Sequence, residues 1–310
     1  MEGQKKTISQ SIYEFYDKKY KLLLIIPFLL LFLAIVQIAY QINTTGDFIK
    51  KDVSLKGGVT ITVPYDKPFD SVMLQNEISG QFPGHEVVVR TLKSTGTTIG
   101  LIIEADIDGN NKADIQKLLD SIGTSLKTDI SKTNYGLEII GSTLGASFFR
   151  ESLIAIGVAF AFMALVVFLY FRTFIPSLAV VLAGFSDMVI ALAIVNLMGV
   201  RIGTAGIAAF LMVIGYSVDT DILLTVRVLK RKEGTVMDRV MSSLKTGMTE
   251  TMTAMVAVIV AMIVTKSDII FQIMLILLMG LFADIFNTWI QNVGILRLYL
   301  ERKEKKGMRV

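Results

Sequence analysis

The sequence contains no cysteine and a single histidine, His85. A disulfide scaffold and a cysteine nucleophile are therefore excluded, and one imidazole gives little on which to build a His-centred triad or a zinc site. Charge is scarce as well. Only 19% of residues are Asp, Glu, Lys or Arg, whereas 53% are hydrophobic; soluble domains carry about 25% charged residues. Lys56-Gly57-Gly58 lacks the spacing of a phosphate loop, and its glycines point instead to a bulge or a close backbone approach. No enzyme activity, cofactor or metal site is expected.

What the chain does have is apolar length. Leu22 to Ile42, Ser152 to Phe171, Phe174 to Met198, Gly203 to Val226, Gly247 to Val264 and Ile269 to Leu296 are six nearly unbroken apolar runs. Crossing a hydrocarbon core takes roughly 20 helical residues at about 1.5 Å each. Six such runs, five of them in the second half, predict a polytopic membrane protein. The first run is too long for the apolar part of a signal peptide, follows about 20 residues of preceding chain, and ends in Ala39-Tyr40-Gln41-Ile42 without a small-x-small cleavage site; it is expected to be a retained span.

Lys and Arg set the expected orientation. With six spans both termini lie on one side. That side would hold Lys5, Lys6, Lys18, Lys19, Lys21, the basic loop after span four and the tail from Arg297 to Arg309, against only Arg201 and Lys266 in the short loops opposite. The positive-inside rule puts both termini in the cytoplasm. The net charge of +4 is this cytoplasmic excess, suited to anionic lipid headgroups, and calls for no nucleic acid.

Between spans one and two the pattern changes. Val53 to Val63 alternates as a strand, with Pro64 and Pro68 after it. Phe69 to Ile78 has helical spacing at Phe69, Val72, Met73 and Ile78, with Asp70 and Ser71 at its start. Glu86 to Leu92 and Thr97 to Glu104 read as strands joined by the turn Lys93-Ser94-Thr95-Gly96. Asn111 to Ile130 is an amphipathic helix with Ile115, Leu118, Leu119, Ile122 and Leu126 on one face, and Tyr135 to Ile140 is a last strand. The order β-α-β-β-α-β predicts a ferredoxin-like α+β domain. The expected plan is thus a helical membrane bundle of six spans with an extracytoplasmic domain inserted between spans one and two. Its parts are residues 1–42 with span one, 43–150 as the domain, 151–298 with spans two to six and a cytoplasmic loop at 227–246, and a basic tail at 299–310. Lys230 to Leu244 is basic and amphipathic, fit either for the membrane surface or for a solvated loop helix.

Carboxylates inside the spans are the candidate functional residues: Asp187 in span three, Asp219 and Asp221 in span four, Glu250 near the cytoplasmic end of span five, and Asp284 in span six. Each costs about 2.5 to 3.5 kcal/mol at bilayer depth on insertion scales, so such groups face other helices and often act. No Lys or Arg lies equally deep in the sequence. A carboxyl able to hold or release a proton suits a relay, while the alternative is hydrogen-bonded glue between helices or with a partner chain. Asp284, Asn287 and Gln291 form one polar stripe; Thr249, Thr251 and Thr253 line the same interior or cap carbonyls. Asp219 and Asp221 lie about 200° apart on a helix, so only one can face a given seam. Asp219 is expected to be the inward one, because it shares a face with Ala208, Met212 and Gly215. Asp221 is then an exit from the path or a partner of Arg227.

Several motifs resemble a known family. Leu55-Lys56-Gly57-Gly58-Val59 is similar to the Gly-Gly motif that opens the outer domain in the SecD/SecF family of protein-export subunits, and Gly141-Ser142-Thr143-Leu144-Gly145 to the motif that closes it. Ile214-Gly215-Tyr216-Ser217-Val218-Asp219-Thr220-Asp221, followed by Arg227, resembles the span-four element Gly-Tyr-Ser-x-Asn-Asp of the SecF branch. Phe185-Ser186-Asp187 resembles the family's His-Asp pair with Ser in place of His, and Thr249 or Glu250 stands where bacterial members place an Arg. These departures resemble the archaeal branch and depart from the bacterial proton-relay scheme. The resemblance implies a SecD-like partner, a SecYEG-type channel, exported unfolded polypeptides as cargo, use of the proton gradient, and membership of the resistance-nodulation-division superfamily. Two other functions stay open: a proton-coupled small-molecule or lipid transporter of that superfamily, and a non-transporting translocon scaffold. The five acidic residues without basic partners point to a heteromer formed through spans three to six.

Overall fold

In the computed structural model of the protein, residues 8–94, 97–130, 133–231 and 233–306 are described. The expectations for Lys5, Lys6, Arg309 and the turn residues Thr95 and Gly96 fall outside them. Among the described residues, six helices are long and apolar enough to cross a membrane: Tyr16–Thr45, Ser142–Phe171, Phe174–Leu197, Thr204–Lys230, Val236–Val264 and Asp268–Lys305.

The chain begins with α1 (Ile8–Leu23), which breaks at Leu24 and continues as the apolar α2 (Ile25–Thr45). Past α2 the expected strand from Val53 does not start at once. The Asp52 carboxylate accepts the Ser54 N–H at 2.8 Å and caps one helical turn, α3 (Val53–Lys56). Gly57 and Gly58 follow with φ of +87° and +135°, backbone that side-chain-bearing residues rarely adopt. Only then does β1 (Gly58–Pro64) run extended. A Cβ on Gly57 would lie 2.4 Å from the Ser142 Cα, and one on Gly145 would lie 2.8 Å from the Gly57 nitrogen. The two glycine motifs thus pack backbone to backbone.

The helix α4 (Ser71–Ser79) follows, with Asp70 as its cap accepting the N–H groups of Val72 and Met73. That cap sets the phase so that Leu74 and Ile78 are buried while Val72 and Met73 face outward, contrary to the spacing inferred from sequence. The hairpin β2 (Val87–Ser94) and β3 (Thr97–Ala105), the helix α5 (Lys112–Leu126) capped by Asn111, and β4 (Gly136–Ile140) complete the unit. The sheet order is β2-β3-β1-β4, with every neighbouring pair antiparallel. Val59, Ile61, Val63, Leu101 and Ile103 point to one face and are buried against Leu118, Ile122 and Ile78. That core holds the unit together without disulfides.

The opposite sheet face, carrying Thr60, Thr62, Arg90 and Glu104, looks across a cleft of about 360 Å³ toward the ends of the membrane helices. The helices that follow the sheet unit are α6 (Ser142–Phe171), α7 (Phe174–Leu197), α8 (Thr204–Lys230), α9 (Val236–Val264) and α10 (Asp268–Phe286), of which α8 and α10 line the cleft. Ile202, between α7 and α8, bonds the backbone of Lys50 and Asp52 at 2.7 and 3.1 Å. Ser54 Oγ accepts the Thr204 N–H at 3.0 Å, so the small unit caps α8. A ladder of charge adds to this contact: Arg201 pairs with Glu86, and Lys56 lies 3.1 Å from Glu86 and 2.8 Å from Asp106.

At the other end, the expected loop at 227–246 contracts. Helix α8 runs on to Lys230. Helix α9 starts at Val236 with a capping box, in which Thr235 and Asp238 each accept the other's N–H. The segment 236–244 is therefore the first two turns of a 29-residue helix, neither a surface-lying helix nor a separate loop helix. Its Met237 and Val240 are buried beside Trp289, Leu296 and Leu300. After α10 comes a π-helical turn, Asn287–Asn292, and then α11 (Val293–Lys305), whose Arg297 holds Asp17 of α1 at 2.7 Å.

Candidate functional site: a buried carboxylate cluster

Helices α7, α8 and α10 cross at the bundle centre, where Gly280 of α10 lets Val213 of α8 approach so closely that a Cβ would sit 2.5 Å from it. Three of the five carboxylates meet here. Asp187 (α7), Asp221 (α8) and Asp284 (α10) are all buried. Ser217 of α8 donates a short hydrogen bond to Asp187 Oδ2, and Asn287 Nδ2 donates to Asp187 Oδ1 at 2.7 Å. Asp221 Oδ1 takes two bonds, from Thr288 Oγ1 at 2.9 Å and Asn292 Nδ2 at 2.7 Å. Thr288 Oγ1 also lies 2.6 Å from Asp284 Oδ1. Gln291 reaches Ser186 Oγ at 3.4 Å.

The π-turn makes this possible. It carries one extra residue per hydrogen-bonded ring, which widens the arc facing inward. Asn287, Thr288, Gln291 and Asn292 are then all fully buried, and the polar stripe expected at 284, 287 and 291 becomes a double row. Thr288 and Asn292 were not picked out from the sequence. The available signal was the paired polar steps Asn287-Thr288 and Gln291-Asn292, each beside a stripe position.

The other candidates lie elsewhere. Asp219 is exposed on the outer side of α8, together with Ala208, Met212, Gly215 and Tyr216. The small-residue face is thus the uncovered one, which reverses the expected choice between the two carboxylates. Arg227 does not pair with Asp221. It donates to the Ser242 carbonyl at 2.8 Å and Thr246 Oγ1 at 2.9 Å, joining α8 to α9. Glu250 is midway along α9, exposed in a shallow groove with Lys245, Thr249 and Thr253. Gly57 and Gly58 are buried at the backbone contact, far along the chain from this cluster, and of Gly215-Tyr216-Ser217 only Ser217 faces inward.

The cluster is short of hydrogen. Asp221 Oδ2, Asp284 Oδ2, Asn287 Oδ1, Gln291 Oε1 and Asn292 Oδ1 are buried and receive no hydrogen bond from the protein's described groups, and buried acceptors without any donor cost about 1 to 3 kcal/mol each. Among the described residues no Lys or Arg pairs with any of the three carboxyls, and no three Asp, Glu or His side chains gather closely enough to hold a metal ion.

Comparison with known proteins agrees with the motifs. Residues 120–302 match the family model for the C-terminal region of the SecD/SecF protein export membrane proteins. The chain is 38% identical over 296 residues to the protein-export membrane protein SecF of Methanocaldococcus jannaschii, covering 93% of this chain and 99% of that one. Against SecF of Pyrococcus furiosus it is 37% identical over 295 residues, covering 92% and 93%. The fold is similar to the crystal structure of Thermus thermophilus SecDF, a translocon-associated membrane protein, with a TM-score of 0.71 at 16% identity. That likeness covers 92% of this chain, which spans 38% of the longer SecDF chain. The chain belongs to the SecD/SecF family of protein-export membrane proteins.

Proposed function

We propose that this protein-export subunit works beside a SecD-like subunit at a SecYEG-type channel, and that proton movement through Asp187, Asp221 and Asp284 drives the withdrawal of unfolded polypeptides from the membrane. It is not an enzyme in this reading. The observation that favours proton coupling is the cluster itself: three buried carboxyls with no Lys or Arg paired to them among the described residues, and more buried acceptor oxygens than protein hydrogens that reach them. Protons would supply the deficit, and their gain or loss would alter how α7, α8 and α10 bond to one another.

The four-stranded unit, in the order β2-β3-β1-β4, supports a ferredoxin-like domain inserted between the first two spans. The bias of Lys and Arg toward the opposite end supports an extracytoplasmic position for it, with both termini in the cytoplasm and the basic tail against anionic lipid. The partner reading is favoured by the two acidic groups left outside the bundle. Asp219 and Glu250 are exposed amid helix surface that lipid would otherwise meet, and a carboxylate facing lipid at depth is costly. A SecD-like subunit covering the stripe Ala208, Met212, Gly215 and Asp219 relieves that cost, and small residues there let its helices come close.

The test is export into sealed vesicles holding the full complex, with an imposed proton gradient. Asp187→Asn, Asp221→Asn and Asp284→Asn should each remove most of the gradient-dependent component while the complex still assembles. If all three keep it, the cluster is structural and the chain is a scaffold.

A further inference from the structure

We infer that the Thr288 hydroxyl is the group that passes a proton between Asp284 and Asp221. This rests on the proton reading above and adds a named carrier to it. Thr288 Oγ1 stands 2.6 Å from Asp284 Oδ1, one helical turn before it, and 2.9 Å from Asp221 Oδ1 on the neighbouring helix α8. All three side chains are buried.

The hydrogen count decides what this arrangement is. A hydroxyl has one hydrogen and two lone pairs, and an ionised carboxylate only accepts. Between two ionised carboxylates, Thr288 can donate to one, and the other contact sets lone pair against lone pair. Both contacts become hydrogen bonds when one carboxyl holds a proton and donates it to Thr288 Oγ1, while Thr288 donates to the other. The chain is then carboxylic acid, hydroxyl, carboxylate, all at hydrogen-bond distance.

Such a chain conducts. The O–H bond of Asp284 breaks as Thr288 Oγ1 takes that proton. The original Thr288 O–H bond breaks as its proton forms an O–H bond on Asp221 Oδ1. One proton has moved from Asp284 to Asp221, the hydroxyl is re-formed, and no net charge is left on Thr288. Rotation about the Cβ–Oγ1 bond resets the hydroxyl. The π-turn holds the oxygen in place, and Asn292 Nδ2, 2.7 Å from the same Asp221 oxygen, fixes the receiving carboxyl.

The experiment uses the full complex in proteoliposomes, with proton flux read by an entrapped pH-sensitive dye and assembly read by co-purification. Thr288→Val keeps the shape without the hydroxyl, Thr288→Ala is a smaller hydroxyl-free variant, and Thr288→Ser restores the group. The hydroxyl-free variants should lower proton flux by about 100-fold with assembly intact, and Thr288→Ser should stay within about threefold of the parent. Asp221→Asn, run in parallel, separates the two ideas. If Asp221→Asn stops flux but an assembled hydroxyl-free variant conducts normally, the Thr288 carrier is wrong and the cluster reading stands. If Asp221→Asn also conducts, the cluster reading has failed. A Thr288→Ser variant as impaired as Thr288→Val, or failure of both hydroxyl-free variants to assemble, makes the side chain structural and overturns the proposal.

Discussion

Asp219 and Asp221 are separated by one residue on α8 and face opposite ways: Asp221 is fully buried and bonded to Thr288 and Asn292, whereas Asp219 lies open on the outer face. A step of two residues turns about 200° on a helix, so the two cannot share a face, and with one side of α8 uncovered only Asp221 is buried. Substitutions should therefore separate their roles. Asp221→Asn should leave co-purification with the partner intact and remove gradient-dependent export. Asp219→Lys, which sets a long basic chain on the proposed contact face, should lower recovery of the partner several-fold and spare the cluster. Normal partner recovery with Asp219→Lys would remove α8 from the interface.

The charge ladder between the sheet unit and the α7–α8 loop predicts a pH dependence. Partial burial works to raise the Glu86 carboxyl, but Arg201 and Lys56 outweigh it and hold the group below the usual carboxylate range. Burial likewise opposes the shift at Asp106, and Lys56 with the Glu86 N–H holds it low. A carboxyl held low in the docked state favours docking at every pH above its ordinary value, about 4. That contribution is lost as pH falls through the lowered value. Hydrogen-exchange protection across residues 47–58, corrected for the intrinsic pH dependence of amide exchange, should stay flat from about pH 8 to 5 and fall below about 4. These groups are partly exposed, so salt should weaken the effect. Protection unchanged down to about pH 3 would mean that the ladder does not hold the sheet unit to the loop.

Gly57 meets Ser142 backbone at a position where φ is +87°. Gly57→Ala should cost about 2 kcal/mol or more, through strain and displacement of the sheet unit from the start of α6. Gly136→Ala is the control, since its new Cβ meets only the Thr62 Cβ, at 3.7 Å. Thermal melting in mild detergent should show a clear drop for the first and little for the second. Equal melting temperatures would mean that the glycine motifs do not seat the unit.

Orientation is open to direct labelling, because the sequence contains no cysteine. Lys67→Cys in the sheet unit and Glu233→Cys between α8 and α9 are both at exposed positions. An impermeant thiol reagent added to intact cells should label the first alone. Labelling of both would rule out the six-span arrangement.

The sequence by itself determined the six apolar spans and much of the core of a small four-stranded unit near the N-terminus. Those properties are sums over local stretches: twenty apolar residues have one favourable solvent, and Leu118, Leu119 and Ile122 share a helix face whatever they pack against. The pairs of glycines in the two motifs were visible, but not that Gly57 and Gly145 touch, since 88 positions separate them. The facing of the carboxylates was decided only by tertiary structure. Small residues mark a surface where helices can approach without saying which neighbour approaches, and the stripe with Asp219 was left uncovered by this chain. The π-turn at Asn287–Asn292 shifted the helical phase, so counting in α-helical steps found Asn287 and Gln291 and passed over Thr288 and Asn292. Periodicity reports a residue's angle on its own helix; which carboxyl shares a hydrogen bond with which hydroxyl depends on how α7, α8 and α10 cross, and that is a property of packing.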